Sequence, residues 1–375
     1  MNKKEIAEIK KQFTPANCAI TRICGCYVDA EKNKKTKIKE AFLSIPEEEM
    51  FKYFDIFKKT MSGRLGKNLM NLEFPLAQEK EGGTQEFLMR IRSSKLKDDE
   101  LLDELYDKVI ENYDYPENYY IVLIHAVYDV PGKASDGTEM YDASEEIYDH
   151  ILCSICPVNL SKAGLSYDVA ENNIKDRIRD WVVAKPETGF LFPAFNDRCT
   201  DIHSTLYYNK STKNIHDYFL ENVLGTPVLV TPDNEKHNFL DLINNAIDTG
   251  KTFDFAENLV ESLENVRMQK SDIPEIVTIP CEEMKRLFEN CGLQEEVLAD
   301  FAENWNYYFM NEPIVLDNVH NSKTAKIVTP DATICISPDK IKLVELQNVN
   351  GVPSLVIPVN GELELNGIGI DLRGV

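Results

Sequence analysis

The fold is decided by an apolar run, Tyr119-Tyr-Ile-Val-Leu-Ile-His-Ala-Val-Tyr-Asp-Val130, that is almost unbroken. A turn-rich segment at 131–137 follows it, and a second apolar run extends from Ile147 to Leu160. Runs that are this short, apolar and rich in β-branched residues are typical of strands with both faces covered. We therefore predict two central strands that flank a loop at 131–137.

Further elements are predicted on either side of this stretch from the spacing of apolar residues. The predicted helices are 84–93, 98–112 and 172–181, and the predicted strands are 189–195 and 202–209. Together these patterns predict an α+β protein with a mixed, mostly antiparallel central sheet and flanking helices. An acidic helical subdomain and a C-terminal antiparallel β-domain complete it, the latter marked by Asn-Gly turn signals. The predicted domains are a basic N-terminal αβ lobe (1–80), an α/β core (81–225), the helical subdomain (226–310) and the β-domain (311–375).

Charge is spread unevenly along the chain, whose net charge is −22. Residues 1–75 hold 15 Lys and Arg against 10 Asp and Glu, whereas residues 226–310 hold 6 against 17. Nucleic acid is therefore a disfavoured partner, because phosphate binding needs a cationic surface. The basic N-terminal lobe either docks on the acidic remainder, forms a solvated face or binds an anion.

The nine cysteines point to a cytoplasmic location. Their number is odd and their spacing is wide, which favours reduced thiols over a disulfide framework. No apolar run is long enough to span a membrane, and the N-terminus lacks the apolar segment of a secretory signal. We therefore predict a cytoplasmic protein without a membrane partner.

Cys153 and Cys156 have the spacing of redox or zinc sites, but they lie in a predicted strand. Side chains three residues apart on a strand point to opposite faces, so the two thiols do not easily meet one metal. Cys24 and Cys26 are the alternative source of two more ligands, although their one-residue spacing is a weak zinc signal. Buried free cysteines are the favoured interpretation, and no metal or cofactor is predicted.

The segment Ser62–Asn68 resembles a phosphate-binding loop but lacks its essential features. Two residues separate its glycines instead of four, Asn follows the lysine, and a helix precedes it instead of a strand. A helix end followed by a turn accounts for the glycines. Arg64 and Lys67, with Lys133 in the turn-rich segment, remain candidates for binding a small anion.

Two pairs of His and Asp are the candidates for chemistry. His125 and Asp129 share a face of one predicted strand, and Asp201 and His203 share a face of another. If the strands are close, the four side chains suit a divalent metal or acid–base catalysis. The alternative is that each histidine is a satisfied polar group in a half-buried sheet. Neither a nucleophile elbow nor a dinucleotide-binding glycine motif accompanies them.

Several motifs resemble those of a family of uncharacterised proteins from Firmicutes that carries a domain-of-unknown-function label. They include Ile20–Val28, Tyr128–Lys133, Cys153–Val158 and Gly189–Pro193. The resemblance spans nearly the whole chain and implies no activity, substrate or ligand. The family usually has a basic residue where this chain has Cys24, which argues against a zinc role for Cys24 and Cys26.

Three functions are consistent with the sequence. The leading hypothesis is a cytosolic binding or regulatory protein that recognises a partner protein or a small anion, and not an enzyme. The second is a metal-dependent or acid–base enzyme that uses the two His and Asp pairs at 125, 129, 201 and 203. The third is a nucleic-acid-associated protein that binds through its basic N-terminal lobe.

Overall fold

The computed structural model describes residues 1–133, 139–228, 230–247 and 250–372. The chain divides into two compact units, here called unit 1 (Met1–Asp233 with Pro274–Ile276) and unit 2 (Asn234–Ile273 with Val277–Val375). The predicted α+β class is confirmed. The finer division into four domains stays a prediction.

Unit 1 is built from one large antiparallel sheet with helices on both of its faces. Its helices are α1 (Lys3–Lys10), α2 (Glu47–Thr60), α3 (Thr84–Ser93), α4 (Asp99–Asn112) and α5 (Asp217–Phe219), the last continuing as a wide helical turn to Leu224. Its strands are β1 (Ile20–Val28), β2 (Lys34–Ala41), β3 (Leu69–Glu73), β4 (Tyr119–Lys133), β5 (Glu139–Leu160), β6 (Leu165–Asp168), β7 (Asn173–Asp176), β8 (Trp181–Val183), β9 (Thr188–Phe192), β10 (Ala194–Asn196), β11 (Cys199–Asp201) and β12 (Ser204–Asn209).

The described strands of this sheet follow the order β2-β1-β4-β5-β9-β12-β3, and β8 pairs with the end of β5. The two apolar runs thus form the adjacent central strands β4 and β5, as predicted. Residues 131–133 belong to β4 instead of the predicted loop, while residues 134–138 lie outside the described part of the chain.

Each face of the sheet carries its own core, because side chains alternate between the faces along a strand. One core joins odd-numbered β4 residues such as Leu123 to α3, α4 and α5, and the other joins even-numbered residues such as Val122 to α1 and α2. The central strands are therefore covered on both sides, which explains why their sequences are apolar without alternation.

Basic strand β2 lies beside the acidic helix α4. Lys34 contacts Asp107 at 2.6 Å, and Lys37 and Lys39 contact Asp103 and Asp99. Such exposed pairs contribute only about 0–1 kcal/mol each. They nevertheless dock much of the positive charge of the N-terminal lobe on acidic residues.

The predicted helix at 172–181 is wrong. The chain forms β7 and β8 there, and Asn172 has a left-handed backbone (φ 46°) that interrupts any helix. Asn tolerates this conformation because its side chain can bond locally. The predicted strand at 202–209 begins only at Ser204, so Asp201 and His203 do not lie on one continuous strand.

Unit 2 combines acidic helices with small antiparallel hairpins. Its elements are α6 (Pro232–Asp241), α7 (Phe253–Gln269), β13 (Thr278–Ile279), α8 (Cys281–Asn290), α9 (Phe301–Phe309), β14 (Ile314–Val315), α10 (Leu316–Val319) and the strands β15 (Ala325–Val328), β16 (Thr333–Ile336), β17 (Glu345–Val349), β18 (Val352–Val356), β19 (Leu363–Leu365) and β20 (Ile368–Ile370). The helices pack around Phe288 and the buried Trp305. None of the helices described in either unit has both the length and the apolarity needed to cross a membrane.

Candidate active site

The site begins at a β-bulge in β1. Ile20 lies opposite Ala126 and Arg22 lies opposite His125, so Thr21 is the extra residue between them. A bulge re-aims the side chain of its extra residue. As a result, the hydroxyl of Thr21, which is an exposed residue, lies 2.6 Å from Nδ1 of His125 and 3.2 Å from the carbonyl oxygen of His125.

His125 is completely buried, and its second ring nitrogen bonds to a carboxylate. Nε2 lies 2.8 Å from Oδ1 of Asp149. Asp149 is opposite Val127 in the β4–β5 register, which places it diagonally across from His125 on the same face. Because a carboxylate only accepts hydrogen bonds, Nε2 carries the proton, and Nδ1 is left to accept the hydrogen of the Thr21 hydroxyl.

Asp149 is kept ionised by its neighbours. Burial opposes ionisation, but the hydrogen bond from His125 and the positive charge of Arg92 outweigh it, so the pKa of Asp149 is lowered. Nε of Arg92, in the last turn of α3, lies 3.7 Å from Oδ1. The carboxylate therefore orients the imidazole and is available to stabilise it in the charged form.

A second guanidinium belongs to the same face of the sheet. Arg22 alternates with Cys24 along β1 and lies opposite His125. Its Nε atom is buried and has no hydrogen-bond partner among the described residues. A buried donor without an acceptor is costly, so this atom is suited to receive an acceptor from a ligand.

A polar cavity of about 370 Å³ lies where β1 begins and β4 approaches its end, but neither Thr21 nor His125 is among its lining residues. It begins at Ala19 and Val127, each two residues from Thr21 and His125, which is about 7 Å along a strand. The main chains of Ala19 and Val127 are joined by a 3.0 Å hydrogen bond. The remaining lining residues are Glu8, Lys11, Gln12, Asn17, Cys18, Tyr128, Asp129 and Pro131.

The four predicted catalytic residues do not share one cluster of contacts. Asp129 lines the cavity and bonds to the hydroxyl of Ser144. Asp201 accepts hydrogen bonds from the Asn196 side chain (2.6 Å) and the His203 main chain (3.0 Å).

His203 is exposed and contacts Glu79 at 2.7 Å, a contact that raises its pKa. It precedes β12, which β5 and β9 separate from β4, so about 14 Å of sheet lies between β12 and the strand of His125.

The predicted anion-binding residues lie in a turn that uses its own donors. The N–H groups of Lys67, Asn68 and Leu69 all donate to the carbonyl of Arg64, and that of Gly66 donates to Leu69. These main-chain groups therefore do not form a cradle for an anion. The side chain of Lys133 lies outside the described residues.

The predicted burial of Cys153 and Cys156 is confirmed. Both are free, fully buried thiols, and burial raises the pKa of each. Cys153 belongs to the core under α3 and α4, and Cys156 is three residues further along the strand. Within the ranges that the structure describes, no three His, Cys, Asp or Glu residues are placed to hold a metal ion.

Sequence reasoning identified His125 but missed Thr21, Arg22, Arg92 and Asp149. One signal was available, because Asp149 and His150 are titratable residues inside an apolar strand. The position of Thr21 had no such signal, since a bulge changes the face of a side chain and is visible only in the pairing register.

Comparison with known proteins gives the family without an activity. No curated protein matches the sequence. A family model described as a domain of unknown function (DUF4317) matches residues 1–368, which is nearly the whole chain. The chain therefore belongs to the DUF4317 family.

Proposed function

We propose that unit 1 is an acid–base enzyme that transfers or hydrolyses acyl groups at Thr21. The observation that supports this proposal is the buried imidazole of His125, bonded on one side to the hydroxyl of an exposed threonine and on the other to a carboxylate. A nucleophile, a base and a group that orients the base are the parts that acyl transfer needs. The hydroxyl bonds Nδ1 and the carboxylate bonds Nε2, and both contacts are within hydrogen-bond reach.

The proposed reaction conserves atoms and protons. The oxygen of Thr21 bonds to the carbonyl carbon of an ester while its proton passes to Nδ1 of His125. Asp149 stabilises the imidazolium, and the ester C–O bond then breaks as Nδ1 returns the proton to the leaving alcohol. Water attacks the acyl–Thr21 ester with the same proton transfers, which releases the acid and restores the hydroxyl.

We propose that the polar cavity at Ala19 and Val127 receives part of the substrate. It is large enough for a small polar molecule, and its nearest lining residues lie two positions along the strands from Thr21 and His125. Arg22 has a buried donor to offer a substrate oxygen. We therefore propose small esters with a polar or anionic acyl part as the substrate class.

The experiment is acylation by p-nitrophenyl acetate, followed by intact mass and peptide mapping. We expect a single acetyl adduct on Thr21 that forms in the wild type and is absent from Thr21→Val, which keeps the branched shape but lacks the hydroxyl. Thr36→Val is the matched control, because Thr36 is an exposed threonine on the adjacent strand β2. Acylation at other positions only, or an equal rate in Thr21→Val, would overturn the proposal.

A second candidate function is binding of a small anion without chemistry, as the sequence suggested for a binding or regulatory protein. It is favoured by the buried Arg22 Nε, together with the nearby guanidinium of Arg92. Titration with inorganic phosphate and with acetate tests it. Saturable binding that is lost in Arg22→Met but kept in Thr21→Val, without any acyl adduct, would favour this function over catalysis.

The cellular setting belongs to the same proposal. Free cysteines are typical of proteins in the reducing cytoplasm. We propose that location, and a bacterial origin in Firmicutes, for this protein. Nucleic-acid binding is not part of the proposal, because three lysines of β2 are paired with aspartates of α4 and the fourth, Lys35, is paired with Asp29.

A further inference from the structure

Unit 2 contains an apolar cavity of about 360 Å³ that the proposed chemistry does not use. One wall is a single face of α7, where lining residues recur at helical spacing from Thr252 through Phe255 and Leu259 to Leu263. At 1.5 Å per residue, this wall is about 16 Å long. The cavity, here called the slot, therefore extends along about three turns of α7.

The walls of the slot are mostly aliphatic and aromatic. The other apolar lining residues are Phe239, Leu240, Ile243, Ala256, Val260, Val319, Ala325 and Pro338. Burying a methylene group against such walls contributes about 0.8 kcal/mol. A flexible alkyl chain lying along α7 is the ligand shape that gains most from these contacts.

The end of the slot near the start of α7 suits an anion. Lys251 and Thr252 line the cavity there, and the ammonium of Lys251 is held by the carbonyl of Asn244 at 2.6 Å. The hydroxyl of Thr252 caps α7 by accepting from the Phe255 N–H at 3.1 Å. A lysine beside the positive end of a 17-residue helix favours a carboxylate.

The opposite end does not suit a second anion. His320 lines the cavity, and its Nε2 lies 2.7 Å from the carboxylate of Glu264. Arg267 contacts the same carboxylate at 2.5 Å and is the largest cause of its lowered pKa. Because Arg267 and His320 are already bonded to Glu264, neither is free to attract another carboxylate at this end.

We propose that the slot in unit 2 binds a medium-chain monocarboxylic acid. Its carboxylate lies at Lys251 and the start of α7, and its alkyl chain runs along Phe255, Leu259 and Leu263 toward His320. This binding does not depend on the acyl chemistry proposed for unit 1.

Calorimetric titration of the full chain with dodecanoate tests the proposal. We expect one saturable site for dodecanoate. Dodecanol, which lacks the carboxylate, should bind about tenfold more weakly, and Lys251→Met, which lacks the ammonium, should bind dodecanoate about tenfold more weakly. Lys236→Met is the matched control, because Lys236 is an exposed lysine of α6 that does not line the slot. This control should bind dodecanoate like the wild type.

A second variant tests the position of the chain. Val260 lines the slot and is half-buried, so Val260→Trp should fill the space and weaken dodecanoate binding by at least about tenfold. An unchanged circular dichroism spectrum and unchanged hydrogen-exchange protection of α7 and α8 amides would show that unit 2 of this variant is folded. Absence of saturable binding, equal affinity for dodecanol, or full affinity in folded Val260→Trp would each overturn the proposal.

Discussion

The two units contain the same three chemical groups in different surroundings. In unit 1, His125 bonds Asp149 at 2.8 Å, and Arg92 lies 3.7 Å from that carboxylate. In unit 2, His320 bonds Glu264 at 2.7 Å, and Arg267 holds that carboxylate at 2.5 Å. Each histidine is thus oriented by an ionised carboxylate that also contacts an arginine.

The difference lies at the other nitrogen of each ring. Nδ1 of His125 bonds the hydroxyl of an exposed threonine, whereas Nδ1 of His320 has no hydrogen-bond partner in the part of the chain that the structure describes. An oriented imidazole becomes a catalytic base only when a proton donor with access to substrate lies within its reach. The proposed chemistry therefore requires His125 of unit 1, whereas we expect His320 of unit 2 to act only as a positioned polar side chain.

The largest expected effect separates the two histidines by function. His125→Gln should slow acylation of Thr21 about 10²–10⁴-fold, the range of contributions made by a general base. The matched change His320→Gln should leave the acylation rate unchanged. The measurement is the rate of acetyl-adduct formation with p-nitrophenyl acetate, and equal losses in both variants would contradict the comparison.

The fold was predictable where burial alone determines structure, and the site was not. The apolar runs that form β4 and β5 need no partner to be recognised as covered strands. The helix predicted at 172–181 failed because one left-handed residue, Asn172, changes the path of the chain. Thr21 and Asp149 reach His125 through a bulge and a diagonal pairing, which are properties of register that one sequence does not reveal.

The second prediction concerns His150, which is buried in β5 next to Asp149 in sequence and on the opposite face of the sheet. Burial lowers its pKa to about 4, from 6.5, although a bond to the Tyr148 carbonyl opposes the shift. The unfolded chain therefore binds a proton at His150 below pH 6.5, whereas the folded chain does so only near pH 4. The free energy of unfolding of unit 1 should therefore fall by about 3 kcal/mol as the pH falls from 6.5 to 4.

His150→Phe tests this dependence, because phenylalanine keeps a ring stacked on Tyr148, now 4.3 Å from the imidazole. Hydrogen exchange of β4 and β5 amides, measured between pH 4 and pH 6.5, should show a flatter profile in the variant. The charges of His125, Asp149 and Arg92 also affect the pKa of His150, and these residues are unchanged in the variant. If the pH dependence of stability is the same in His150→Phe as in the wild type, then those groups, and not His150, cause it.

The third prediction has the opposite sign and belongs to unit 2. Burial raises the pKa of Glu235 from 4.5 to about 7, despite hydrogen bonds from the Val315 main chain (2.5 Å) and the Asn318 amide (2.6 Å). Between pH 4.5 and pH 7 the folded chain holds a proton that the unfolded chain has lost. The stability of unit 2 should therefore fall as pH rises through this window, by about 2 kcal/mol after allowance for incomplete burial.

Glu235→Gln imitates the protonated carboxyl and should remove most of this decline. The measurement is hydrogen exchange of α6 and α10 amides across pH 4.5–7. Because unit 1 is expected to gain stability over nearly the same range, the two units should change in opposite directions in one sample. Parallel changes in both units would contradict the assignments of His150 and Glu235.

The smallest expected effect compares the two arginines. Arg267 contacts Glu264 through both Nε (3.1 and 3.0 Å) and a terminal nitrogen (2.5 Å), whereas Arg92 reaches Asp149 only at 3.7 Å. A two-pronged contact is stronger than a single long one, but Arg267 is about one-third exposed (36%), so solvent reduces its value.

We therefore expect Arg267→Met to destabilise unit 2 by about 1 kcal/mol, and Arg92→Met to destabilise unit 1 by at most about 0.5 kcal/mol. Urea unfolding followed by hydrogen exchange in α7 and in β5 resolves the two effects. If Arg92→Met destabilises unit 1 by more than Arg267→Met destabilises unit 2, the carboxylate of Asp149 depends on Arg92 far more than their separation indicates. Arg92 would then be a structural partner of Asp149 and not a guanidinium that is free to bind a small anion.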